Sequence, residues 1–284
     1  MTAAAEFATG IASNFRTGLV DHEDKYRPAL TGDTASRLIL PRTKLESNPK
    51  LSHLVDGPTN NVWMGPKRHV VAYTIRNVEL YNVVLCGPGE APVGKYNEPY
   101  DPDTLGAEYS DFEPTVRGII SAADKAHRWT ISEVPTLPRW TDGKIVLLGD
   151  SAHAMMPYAA QGAAQCFEDA AVLIACLGKL KAKEDIAAHL RLYEKLRRPR
   201  VERVQEVARG NRFLYGLEDG PEQCERDERL KQSLKGDSAV KNSPQTVQKR
   251  PNADSQAKYG SPEFSEWLYG VDVEREAQAA LTQR

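Results

Sequence analysis

The stretch Lys144–Ala171, KIVLLGDSAHAMMPYAAQGAAQCFEDAA, decides the reading of this chain. Ile145-Val146-Leu147-Leu148 is a short apolar run that stops at Gly149-Asp150. Its length and its bounding turn residues predict a buried strand. A turn with Pro157 follows, then small residues around Gly162, then helical spacing. That order predicts a loop that delivers a helix N-terminus. In open α/β sheets, ligands lie outside the carboxyl ends of the strands. A carboxylate at Asp150 accepts hydrogen bonds from sugar-like hydroxyls, and the exposed N–H groups of a helix start hold negative charge. The two devices, 12 to 13 residues apart, suit a long ligand with a polyol and an anionic end.

Asp150 also reads as an ordinary helix cap or turn residue. Asp150, Ser151 and His153 invite a hydrolase reading, but three residues so close in sequence do not place the relay that a triad needs. The chain also lacks a G-x-S-x-G elbow. His153 is expected to cap or pack near the loop. Taken together, Gly149, Asp150, Ala152, His153, Pro157, Gly162, Ala163, Glu168, Asp169 and Ala170 resemble the Gly-Asp motif of flavoprotein aromatic hydroxylases. These are group A FAD-dependent monooxygenases and include salicylate hydroxylase-like enzymes. The resemblance implies that Asp150 holds the ribityl chain of FAD. It implies that Pro157 belongs to the cofactor loop and that the backbone around Gly162 and Ala163 faces the flavin pyrimidine. A helix N-terminus suits the negative charge of reduced flavin. Two departures stand out: Tyr158-Ala159-Ala160 replaces a His/Phe-x-Gly stretch, and Cys166 stands where a Gly is common.

Size and charge bound the alternatives. The 284 residues suffice for one large or two small domains. A net charge of −2 and a pI near 6.3 point to no nucleic acid or acidic membrane. No apolar run reaches the length of a membrane span, and no secretory signal is visible. The four cysteines show no C-x-x-C spacing, so no metal site and no disulfide framework are expected. A reducing, cytoplasmic location follows as an expectation. The run Arg197-Arg198-Pro199-Arg200 is expected on a solvated helix face.

Complete members of the resembled family open with a βαβ unit carrying G-x-G-x-x-G for the FAD pyrophosphate. No such pattern follows a strand here. Gly10-Ile11-Ala12-Ser13-Asn14-Phe15-Arg16 is instead similar to the family's second signature, Asp-Gly-x-x-Ser-x-x-Arg, with Thr9 in place of the Asp. A helix starting at Ser13 gives the same pattern. An N-terminally truncated family member is therefore expected.

Residues 62–86 alternate apolar and polar residues, interrupted at Asn77, and predict two antiparallel strands joined by a tight turn. Trp63, Gly65, Pro66, His69 and Tyr73 match a Trp-x-Gly-Pro-x-x-His-x-x-x-Tyr pattern of the family's substrate sheet. Residues 87–110 read as a long surface loop, 115–126 as a helix and 129–138 as a returning strand. Arg37 resembles the Ala-Tyr-Arg arginine of fungal phenol-hydroxylating members, with Ser36 in place of the aromatic, and Tyr73 stands where they carry a sheet tyrosine. The resemblance implies a catalytic pair. A guanidinium stabilises a phenolate, which attacks an electrophilic oxygen donor better than a phenol, and a tyrosine helps to hold or remove the proton. Arg37 also fits an ion pair at a sheet edge, and Tyr73 a core aromatic with its hydroxyl at the surface.

The last third reads as helical. Phe167, Ala171, Ile174 and Leu177 mark an apolar stripe, Gly178 a C-cap, and Ile186, Leu190 and Tyr193 one face of a helix starting near Asp185. Pro199 is expected to kink or restart it. Residues 231–262 read as a flexible linker. Phe264, Trp267, Leu268 and Tyr269 then dock back on the body or contribute to a homodimer face, before a helix over 273–281.

The expected fold is α/β with α+β character. It comprises a remnant of an FAD-binding domain (1–34), a mainly antiparallel substrate-binding sheet (35–135), the C-terminal half of the FAD-binding domain (136–215), and a linker with a docking tail (216–284). The expected reaction is FAD-dependent hydroxylation of a phenolic or other aromatic small molecule with NAD(P)H and O2, as in secondary metabolism. The alternative is a catalytically silent fragment or a binding partner of a full-length paralogue. Halogenases and reductases share the fold, but their Lys or Trp-x-Trp-x-x-Ile-type site is not visible.

Overall fold

Alternation of side chains and one corner at Gly149 organise the chain. The computed structural model describes residues 5–7, 10–20, 23–89, 97–240 and 262–282. The chain runs β1 (Ala5–Phe7), α1 (Asn14–Leu19), β2 (Ala29–Pro41), α2 (Arg42–Glu46), β3 (Asn60–Gly65), β4 (Arg68–Ile75) and β5 (Leu80–Pro88). Next come β6 (Glu98–Tyr100), α3 (Pro102–Glu108), α4 (Pro114–Ser121), β7 (Ala126–Glu133), β8 (Thr141–Asp142) and β9 (Ile145–Leu147). Helices complete it: α5 (Asp150–His153), α6 (Gly162–Leu177), α7 (Ile186–Tyr215), α8 (Pro221–Val240), α9 (Pro262–Tyr269) and α10 (Val273–Thr282). The fold is mixed α/β and divides into two compact units. One comprises Met1–Ala29, Ser132–Asn211 and Cys224–Arg284; the other comprises Leu30–Ile131 and Arg212–Gln223.

The second unit is built on a six-stranded sheet in the order β3-β4-β5-β2-β7-β6. Its described pairings are antiparallel. Leu38, Leu40, Val70, Ala72, Val83 and Leu85 alternate onto one face and share a core with Leu105, Val116, Ile119 and Ile120 of α3 and α4. Burying each Leu, Val or Ile of this set stabilises by about 1.5–3 kcal/mol. Residues 62–86 form part of three strands rather than two. The turn at Asn77 is present, with Arg76, Asn77 and Val78 all at positive φ. A second turn at Pro66-Lys67, where Lys67 has φ 58°, separates β3 from β4. The expected loop 87–110 contains β6 and α3. Its Asp and Pro are helix-start signals: Asp101 accepts the Thr104 N–H at 2.9 Å and Pro102 opens α3. Residues 90–96 of that loop lie outside the described residues.

In the first unit β1 pairs in parallel with β9, and β9 pairs antiparallel with β8. Val146, Leu147, Val172, Leu173, Cys176, Leu190, Tyr193 and Val201 make its core. Gly178 caps α6 as expected. The apolar stripe of α6 is divided: Leu177 packs against the core and Phe167 and Ile174 do not. Phe167 is 77% and Ile174 70% exposed, and α6 turns Val172, Leu173 and Cys176 inward. Pro199 does not end α7, which runs on to Tyr215. Burial of Tyr193, Arg197, Val201 and Val204 around it offsets the lost hydrogen bond. Part of the expected linker is helical, because α8 extends to Val240. Its polar surface is supported by pairs such as Glu225–Arg229 at i,i+4. Residues 241–261 lie outside the described residues. Among the described residues no helix is long and apolar enough to cross a membrane.

Candidate functional site

The apolar strand β9 stops because the chain must turn at Gly149. This residue has φ 58°, which an L side chain rarely adopts, and a Cβ there would lie 2.9 Å from Cys166 Sγ. Hydrogen bonds tie the corner on every side. The Gly149 carbonyl accepts from Ala152 and His153 N–H at 2.9 and 3.0 Å. Ser151 Oγ donates to the Leu148 carbonyl at 2.6 Å. Arg16, buried in α1, donates to the Ser151 carbonyl at 3.1 Å and to the Ile11 carbonyl at 2.6 Å. Ser13 caps α1 by accepting the Arg16 N–H at 3.1 Å. The stretch Gly10–Arg16 thus helps to build the Gly149 corner.

The corner leaves the Asp150 carboxylate exposed. Pro157 is exposed and opens a short 3-10 turn that ends at Ala160, a left-handed residue with φ 51°. α6 then starts at Gly162 behind Gln161, with no side-chain cap and no acidic residue in its first turn. A Cβ on Gly162 would meet nothing within 4 Å, and Ala163 is exposed. Asp150, Pro157, Gly162 and Ala163 therefore belong to one unit. They offer an open carboxylate and a helix start that no side chain caps among the described residues.

A buried polar network stands behind this corner. Asp169 has no exposed surface. Its Oδ2 accepts the Gly149 N–H at 2.9 Å and lies 2.7 Å from His153 Nε2, and its Oδ1 accepts Arg197 Nε at 2.8 Å. Burial alone raises the Asp169 pKa. The His153 ring, the Arg197 guanidinium and the Gly149 N–H outweigh it and hold the group below the usual carboxylate range. Glu168 is likewise held low: burial raises it, and Arg200 and Arg197 more than compensate. Arg197 and Arg200 are therefore not on a solvated face, since Arg197 is 1% exposed and Arg200 binds both Glu168 oxygens. His153 is structural, as expected, and packs 5.2 Å from the Trp140 ring.

Arg37 and Tyr73 belong to the other unit. Register places Asn60, Tyr73, Asn82 and Ile39 in one row across β3, β4, β5 and β2, and Val62, Val71, Val84 and Arg37 in the next. Both rows lie on the sheet face opposite the core. Arg37 Nε donates to Asn82 Oδ1 at 2.6 Å. Arg37 is therefore no sheet-edge ion pair: β2 is an inner strand and the partner is an amide. Tyr73 is 38% exposed and is not a core aromatic. The bond from Arg37 orients the Asn82 amide, and its buried Nδ2 finds no partner among the described residues. His69 shares the face of Tyr73, packs edge-on against Tyr215 at 5.1 Å, and is pushed down by burial to about 4. The alternation of β5 carried Asn82 unnoticed, and Arg16 entered only as the last residue of the Gly10–Arg16 match. Strand alternation puts Asn82 on the face of Arg37, whereas the bond of Arg16 to Ser151 spans 135 residues and has no local signal.

A model of the FAD binding domain family matches residues 45–208. The chain is similar to the FAD-dependent monooxygenase OpS4 of Beauveria bassiana (strain ARSEF 2860), at 31% identity over 256 residues, 89% of this chain and 56% of that protein. It is similar to the 3-amino-4-hydroxybenzoate 2-monooxygenase PtmB3 of Streptomyces platensis, at 35% identity over 222 residues, 78% of this chain and 53% of that protein. The solved salicylate hydroxylase substrate complex shares the fold with a TM-score of 0.74 at 23% identity, over 97% of this chain and 63% of that one. The chain spans about half the length of the relatives it matches.

Proposed function

Because the chain belongs to the FAD binding domain family, we propose that it serves an FAD-dependent monooxygenase that hydroxylates a phenolic or related aromatic small molecule with NAD(P)H and O2. The observation that carries this reading is the exposed Asp150 on a locked corner, followed by the uncapped start of α6. These residues fit the cofactor. Asp150 would accept from ribityl hydroxyls, and the N–H groups at Gly162 and Ala163 would stabilise anionic flavin. FAD, when bound, takes reducing equivalents from NAD(P)H and activates O2 for transfer of one oxygen atom.

The sheet unit is assigned to the substrate. Arg37, oriented by Asn82, holds the substrate oxygen as its oxyanion, and the Tyr73 hydroxyl carries its proton toward solvent. Apolar neighbours Ile39, Val62 and Val71 take the aromatic ring. The test is phenol-dependent NAD(P)H oxidation in the presence of FAD and O2, with the product examined for one added oxygen atom. Arg37→Met should abolish hydroxylation, and Tyr73→Phe should lower kcat more than KM. Equal turnover by Arg37→Met would remove that residue from the reaction.

The exposed Phe167 and Ile174 favour a second reading, in which the chain works docked to a partner and is itself catalytically silent. Sedimentation of the chain alone and with a full-length paralogue separates monomer, homodimer and complex.

A further inference from the structure

The last turn of a helix leaves carbonyls without helical donors, and a cation there is favourable through both hydrogen bonds and the helix dipole. Arg200 fills that role for α9. It donates to the carbonyls of Trp267 and Leu268 at 2.9 and 3.1 Å, and its guanidinium lies 5.4 Å from the Trp267 ring centroid. The same guanidinium grips both oxygens of Glu168, at 2.7 and 2.8 Å. Glu168 also accepts from Arg197, and Arg197 donates to Asp169, which holds the Gly149 N–H and His153. An unbroken series of charge-assisted hydrogen bonds therefore runs from α9 to the corner that presents Asp150. Phe264, Trp267 and Leu268 are buried, so α9 is seated by apolar packing as well.

We propose that α9 is a clamp on the Gly149–Asp150 corner: its seating on Arg200 fixes the Glu168–Asp169 pair, so that tail docking and occupation of the corner by FAD favour each other. The occupant rests on the function proposed above. Coupling of this kind is reciprocal: what strengthens one event strengthens the other by the same factor. Arg200 and Glu168 are positioning residues in this scheme.

Cys166 supplies a probe that needs no cofactor. Its sulfur lies against Gly149 and it is partly buried, while Cys86 and Cys176 are buried and Cys224 is exposed. In the full chain carrying Cys224→Ser, the rate of Cys166 alkylation is measured for the parent, Trp267→Ala, Arg200→Gln and Arg200→Lys. We expect Trp267→Ala and Arg200→Gln to raise the rate about tenfold, within the usual range of coupling between sites. Arg200→Lys should restore part of the protection, with circular dichroism unchanged. FAD affinity, read by fluorescence, should fall by a similar factor in the same variants. An unchanged alkylation rate in Trp267→Ala, when proteolysis shows α9 released, overturns the clamp. If Arg200→Gln does not fold, Trp267→Ala decides alone. A parent chain that binds no FAD counts against the cofactor reading, and the thiol rate still decides the clamp.

Discussion

At the scale of the residue, the positions of the corner differ in what a substitution costs, and Gly149, at φ 58° against Cys166, is the most restricted. Asp150 is exposed, so Asp150→Ala should leave stability within about 0.5 kcal/mol. The same change should weaken FAD binding about tenfold or more, the loss of a charge-assisted hydrogen bond. Ala160 sits in the left-handed region, where a Cβ costs about 1–2 kcal/mol. Ala160→Gly should therefore raise stability by about 0.5–1 kcal/mol after the added unfolded-state entropy; a lower melting temperature would contradict this. Asp169→Ala removes a partner from buried Arg197 and should destabilise by about 3–5 kcal/mol in denaturant unfolding. The corner was legible in the sequence because Gly149-Asp150, Pro157 and Gly162 act through local backbone geometry. Arg197 and Arg200 were not, because an arginine run looks solvated until its partners are known. Those partners, Asp169 and Glu168, lie 28 and 32 residues away.

At the scale of the element, periodicity located α6 but not its inner face. Phe167 and Ile174 and, on another side, Val172, Leu173 and Cys176 are both at helical spacing. Buried Asp169, bound to Gly149, His153 and Arg197, settles the rotation, and a carboxylate was not an obvious core residue. Phe167→Ser with Ile174→Ser should leave the melting temperature unchanged while lowering binding of a hydrophobic dye and self-association. A large loss of stability would show that the stripe is packed. Pro199 is exposed within a continuous α7, so Pro199→Ala should stabilise by about 1–3 kcal/mol, checked by denaturant melts. In the sheet unit the turn at Asn77 was legible from alternation. Strand β3 was merged with β4, because only Pro66-Lys67 separates them.

At the scale of the whole molecule, acid stability reports both units. His69 falls from 6.5 to about 4 on folding, through burial, so the unfolded chain binds more protons between those values. Stability is fully present above pH 6.5 and declines as pH falls toward 4, by about 3 kcal/mol in total. His69→Phe should flatten that window. Glu168 and Asp169, held below their ordinary 4.5 and 3.8, contribute stability above those values that is lost as pH falls further. Fluorescence titration of FAD with the full chain and with Asp150→Ala decides whether this corner holds FAD. The chain should bind FAD saturably, and the variant about tenfold or more weakly, with circular dichroism unchanged. A folded chain that binds no FAD, or that binds it equally well without the Asp150 carboxylate, would contradict it.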